Sequence, residues 1–92
     1  MNAAIVISGA DNVATALEPI AAGDVVTAGG ARVTAAEPIP RGHKIALRPI
    51  PAGDVVTKYG SPIGTASADI AAGAHVHTHN VASGRGRGDL AR

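Results

Sequence analysis

Apolar residues along this chain come in short runs rich in Val, Ile and Ala, and Pro or Gly interrupts almost every run. Few windows could hold three turns of helix, because Pro removes a helical hydrogen bond and Gly loses backbone entropy on ordering. The strongest helical window is Asp11–Leu17, with Asp11 as a cap and Ala14 and Ala16 as helix formers. Val13 and Thr15 favour an extended chain and Pro19 closes the window, so it reads as a strand or one short turn. Short strands are predicted over Ala4–Ser8, Val13–Leu17, Val25–Thr27, Arg32–Ala35, Lys44–Leu47, Val55–Tyr59 and Ala74–Asn80. The pattern predicts an all-β domain.

An internal repeat organises these strands. Leu17-Glu18-Pro19-Ile20-Ala21-Ala22-Gly23-Asp24-Val25-Val26-Thr27 returns 30 residues later as Leu47-Arg48-Pro49-Ile50-Pro51-Ala52-Gly53-Asp54-Val55-Val56-Thr57. Shorter echoes run from Pro38 to Ile45 and from Asp69 to Val76. In each unit an Ile ends one extended segment, two residues intervene, a Gly follows, and a β-branched residue restarts the strand. The two middle residues suit the corners of a type I turn, and the Gly suits the positive φ of a three-residue hairpin connection with a bulge. Gly29-Gly30 predicts a further hairpin between Val25–Thr27 and Arg32–Thr34.

Composition narrows the function. The chain has 92 residues, and a fold of that size buries only about 60–65% of its unfolded surface. Its only aromatic residue of the Phe, Trp and Tyr class is Tyr59, so aliphatic side chains must fill the core. Tyr59 reads as a packing plug under the sheet, with docking onto a partner as the alternative. No cysteine is present, which excludes disulfides and thiolate metal sites. A net charge of +1 without a basic stripe gives no nucleic-acid footprint. Met1–Ala10 is too short for a membrane span and has no basic flank, which predicts a cytoplasmic protein with no membrane partner. Residues 1–82 form the expected domain, and the Gly- and Arg-rich residues 83–92 an expected mobile tail, whose Arg87-Gly88-Asp89 is a chance motif.

All four histidines lie in or beside the turn units. On a strand His75, His77 and His79 would share one face, with neighbours about 7 Å apart, so two could converge on one ion. A third ligand comes more easily from elsewhere, and His43 and Asn80 are the nearest candidates. Imidazoles suit Fe, Zn, Mn or Cu, and a strand end leaves a coordination position open. The plain alternative is a row of solvated polar residues alternating with a buried Val76. His43-Lys44 is the second candidate: His43 as acid, base or ligand, Lys44 as a point charge for a substrate carboxylate. Lys44 can equally be a strand-edge charge that blocks edge pairing. No Walker loop, nucleophile elbow or dinucleotide fingerprint occurs.

Four blocks, Asp11–Leu17, Arg41–Leu47, Lys58–Gly64 and Asp69–Asn80, together resemble the amino-terminal domain of altronate dehydratase, a SAF-type domain with a β-clip fold. The wider family includes galactarate dehydratase and the small subunit of sulfolactate sulfo-lyase. The resemblance implies the small subunit of a two-component hydro-lyase, with a separate large catalytic subunit and an isolated chain that is inactive. The implied reaction is dehydration of a sugar acid, D-altronate to 2-dehydro-3-deoxy-D-gluconate, with iron(II) or manganese as the divalent ion. Sulfolactate cleavage is the alternative within the family. A non-catalytic SAF-type binding or assembly module is the alternative outside it, and homo-oligomers are compatible with each. The Gly42-His43-Lys44 block resembles the wider family and makes His43 and Lys44 the candidate catalytic residues. The series His75, His77 and His79, the candidate metal ligands by their spacing, resembles the altronate and sulfolactate members but not galactarate dehydratase, which implies a role in substrate choice or only part of the coordination.

Overall fold

The computed structural model describes residues 4–5, 11–28, 30–58 and 60–83. Among these there is no helix; the strands are β1 (Ala4–Ile5), β2 (Val13–Ala16), β3 (Val25–Ala28), β4 (Ala31–Thr34), β5 (Lys44–Ala46), β6 (Val55–Lys58), β7 (Ser61–Ala66), β8 (His75–Val76) and β9 (Val81–Ser83). The domain is all-β, as the Pro and Gly spacing predicts. None of the described residues forms a helix long and apolar enough to cross a membrane.

A central antiparallel sheet runs β1-β2-β5-β8, and two smaller sheets, β3-β4 and β6-β7-β9, accompany it. Register assigns the central sheet's two faces. Ala14 pairs with Ile45 and Val13 with Ala46. Ala14, Ala16 and Ile45 pack with Ile20, Val26, Ala28, Val33 and Ile39 from the first repeat unit. Val13, Ala46 and Val76 pack with Ile50, Val56, Ala66 and Ile70 from the second. Alternation along each strand thus sends successive residues into two different cores. Burying an aliphatic side chain of this size contributes roughly 1.5–3 kcal/mol. The strictly alternating exposure of β3 reflects the same period.

The repeat is structural as well as sequential. Ile20 bridges Ile39, and Ile50 bridges Ile70. Gly23 N–H donates to the Ala35 carbonyl at 2.8 Å, and Gly53 N–H to the Ala66 carbonyl at 2.8 Å. The turn itself differs from expectation. Asp24 N–H closes on Ala21, His43 on Pro40, Asp54 on Pro51 and Ala74 on Ala71, each at 3.0 Å. The glycine is therefore the third residue of a four-residue turn, with φ between 83° and 91° in the four copies. That is the signature of a type II turn, shifted by one residue from the expected type I turn with a bulge. Nor does this turn make a hairpin, because Ile20 before it and Asp24 after it both pair with the segment 35–39. The expected pairing of the strands on either side of Gly29-Gly30 is present, with Ala28 opposite Ala31, while Gly29 itself lies outside the described residues.

Two strands were illegible for physical reasons. In β7, Pro62 and Gly64 look like breakers, yet Pro62 sits at a register shift opposite Thr57. A Cβ on Gly64 would collide with the Ala82 carbonyl, so the missing side chain is what lets β9 pair there. The expected strand Ala74–Asn80 is cut to His75–Val76. After Val76 the chain turns, and Asn80 N–H closes on the His77 carbonyl at 3.1 Å. Tyr59 and the tail from residue 84 lie outside the described residues; Ser83, the first residue of the expected tail, belongs to β9.

Candidate metal site

His43 follows the type II turn that leads into β5. Its backbone is pinned on both sides: His43 N–H donates to Pro40, and its carbonyl accepts from Ala16 N–H at 2.9 Å. Lys44 pairs with Val76 and Ile45 with His75. One step further along each chain places His43 beside His77, and their rings stack with centroids 3.8 Å apart at 13°. His75 is anchored by Glu37, whose carboxylate accepts from His75 N–H at 3.0 Å. Asn80 fastens the turn after β8: its Oδ1 accepts from His77 N–H at 3.0 Å and its Nδ2 donates to the His75 carbonyl at 2.9 Å.

The side chains converge. His43 Nδ1 and His75 Nε2 lie 2.7 Å apart, so one nitrogen donates and the other accepts. One ligand atom from each of His43, His75 and His77 lies within 4.8 Å of the other two. His79, carried away by the turn, reaches only the outer side of His75, with ring centroids 5.0 Å apart and tilted by 35°. Two of the three expected metal-ligand candidates therefore meet, and His43 takes the third place in the cluster. Asn80, the other candidate third ligand, spends both side-chain atoms on the turn.

Electrostatics favour the neutral, ligating form of the imidazole. His75 is held below the ordinary histidine value by partial desolvation, then by the neighbouring His79 and His43, with Glu37 opposing. His77 is lowered by desolvation and by His43, Lys44 and His79. An imidazole binds a divalent ion at about 2.1 Å, so nitrogens on one ion stand roughly 3.0–3.4 Å apart; the His43–His75 pair at 2.7 Å must part and lose its shared proton, and the stacked rings must turn to aim at one point. The donor set fits a divalent metal.

Lys44 extends from the other face of β5. Its ammonium is lowered by partial burial and by the nearby Lys58 charge. A cleft of about 270 Å³ opens beside it, lined by Lys44, Ile63, His77, Thr78 and Val81. Thr78 was not legible as a site residue, since a lone Thr within a run of histidines carries no signal of its own. Glu37 was missed because 38 residues separate it from the backbone it holds.

The model of the altronate/galactarate dehydratase SAF domain matches residues 2–84. The chain belongs to that family. Two relatives of the dehydratase SAF domain show the same extent. Altronate dehydratase of Escherichia coli (strain K12) is 53% identical over 76 residues, which cover 83% of this chain and 15% of that protein. Altronate dehydratase of Bacillus subtilis (strain 168) is 46% identical over 80 residues, 87% of this chain and 16% of that protein. The chain thus spans less than a fifth of the length of these two lyases.

Proposed function

We propose that this chain is the small, imidazole-bearing subunit of a two-component hydro-lyase that dehydrates D-altronate to 2-dehydro-3-deoxy-D-gluconate in the cytoplasm. One observation carries the reading: His43, His75 and His77 converge within 4.8 Å in a domain whose relatives are altronate dehydratases. Three side-chain nitrogens at a sheet end enclose a six-carbon acid on one side only, so further protein surface must complete the pocket, which on this proposal a large subunit supplies.

The chemistry sets clear demands. Removing the proton beside a carboxylate builds further negative charge, which needs a Lewis acid or concentrated positive charge. His43, His75 and His77 would hold a divalent ion, iron(II) or manganese, and such an ion supplies Lewis acidity at that point. Lys44 adds a positive charge one residue from His43. Outside the cluster, His79 stays available for proton exchange. The C2 proton is taken by a base, the C3 hydroxyl departs as water with an acid's help, and the resulting enol becomes the 2-keto product.

The test is co-expression with a large polypeptide resembling the rest of altronate dehydratase, followed by an anaerobic assay with D-altronate and iron(II). The expected result is formation of a 2-keto-3-deoxy acid that requires both chains and is abolished by a chelator. Full activity of the lone chain, or no keto acid from the authentic pair, would refute the proposal. Sulfite release from sulfolactate by the same pair would move the leaving group from water to sulfite.

A further inference from the structure

Lys44 is an unusual place for a charge. It is half-buried, and another cation, Lys58, acts on it electrostatically. No carboxylate among the described residues forms an ion pair with Lys44. Holding a half-buried ammonium beside a cleft costs free energy that an anion bound in the cleft would offset.

The surroundings agree. The cleft beside Lys44 is lined by two aliphatic side chains, Ile63 from β7 and Val81 from β9, together with Lys44, Thr78 and His77. Few convergent polar groups on an otherwise apolar lining are the general form of a small-molecule site. Thr78 sits in the turn that Asn80 fastens, so its position is set by the fold. His77 belongs to both the cleft and the imidazole cluster. His77 therefore joins the cleft to His43 and His75.

We infer that this cleft is the subsite for the substrate carboxylate, with Lys44 as its charge partner and Thr78 as its hydrogen-bond donor. An acid seated this way would have the carbons next to its carboxylate toward His77, with Ile63 and Val81 against its carbon chain. Only the identity of the acid rests on the hydro-lyase reading above; the carboxylate subsite itself rests on the cleft.

Amide chemical-shift titration of the 92-residue chain with sodium D-gluconate, set against the uncharged polyol D-glucitol at matched ionic strength, tests this. Gluconate is expected to move the Lys44, Thr78 and Val81 signals saturably, and glucitol is not. Lys44→Met is expected to weaken gluconate at least about tenfold and Thr78→Val about threefold, as loss of a charge-assisted and a neutral hydrogen bond implies. Lys44→Arg retains binding, and Arg32→Gln, on an exposed strand face, changes nothing. Equal shifts with glucitol, no shift up to about 50 mM gluconate, or wild-type binding by a folded Lys44→Met chain would overturn the subsite. In the assembled two-chain enzyme, Lys44→Met should raise KM for altronate more than it lowers kcat. An unchanged KM with active enzyme rejects the subsite and leaves the hydro-lyase reading standing. Gluconate binding in the cleft without dehydration by the authentic pair does the reverse. Loss of subunit association with KM unchanged would assign Lys44 to a partner carboxylate and overturn the proposal.

Discussion

In the first half of the molecule Ile20 bridges Ile39, and the hairpin β3-β4 packs over one face of the central sheet. In the second half Ile50 bridges Ile70, and β6-β7 packs over the other face. The cores match residue for residue along much of the unit: Ala16 with Ala46, Ile20 with Ile50, Val26 with Val56, Ile39 with Ile70. The halves differ after their closing turns. Beyond Gly42 the chain runs through β5 into the next unit. Beyond Gly73 it runs through β8, turns at residues 77–80 and returns as β9 against β7. At the position paired with Val26 the first hairpin has Val33, and at the position paired with Val56 the second has Gly64. One missing side chain thus separates a two-stranded sheet from a three-stranded one. That third strand anchors the far end of the turn carrying His77, Thr78 and His79.

Making the second hairpin resemble the first gives the largest expected effect. Gly64→Val drives side-chain atoms into the Ala82 carbonyl and Val81. A loss of about 4 kcal/mol or more is expected, enough to unfold much of a domain this size, measured by denaturant melts. Retention of wild-type stability would show that β9 is not held as described. The core pair comes next. Ile20→Ala and Ile50→Ala should each cost about 3 kcal/mol, and within about 1 kcal/mol of each other if the two cores are equivalent. A gap much wider than that breaks the equivalence.

Metal affinity sharpens the contrast on the functional side. His43→Asn, His75→Asn and His77→Asn should each weaken iron(II) or manganese binding about tenfold or more, whereas His79→Asn changes it by less than about threefold, measured by anaerobic calorimetry. Equal losses for all four would restore the row of three along one strand. The smallest effect is on pH dependence. His75 and His77 are held below the ordinary value of 6.5 in the folded chain. As pH falls through that value the unfolded chain takes up protons first, so their share of stability is fully present above it and is lost toward the lowered folded values. Melting temperature should therefore fall between about pH 7 and pH 5, and His75→Gln should flatten that dependence. The first half contains no histidine before His43 and contributes nothing to it.

Much of the scaffold was legible in the residues. The Ile-x-x-Gly units located four turns, and all seven expected strands begin within one residue of a strand found. The last of them, Ala74–Asn80, failed after Val76. Alternation cannot reveal that Asn80, three residues beyond His77, has a side chain suited to close a turn back onto it. The turn class also failed, because the spacing of a lone glycine is compatible with the third or the fourth position of a turn; only the hydrogen bond chooses. Gly73 shows a further limit. A Cβ there would collide with the Thr34 carbonyl, a contact between the two units that no local pattern announces.

Local chemistry was enough to determine that this chain is all-β, duplicated, built on an aliphatic core and equipped with imidazoles near its turns. Period, turn residues and composition act over a few positions and can be read along a line. Which imidazoles meet was decided by the pairing of β5 with β8, which brings His43 to His75 and His77 across 32 residues of chain. The cleft beside Lys44 likewise exists only because β7 and β9 supply a wall from distant segments. Convergence of this kind depends on strand register, and register is set by the burial of two cores at once.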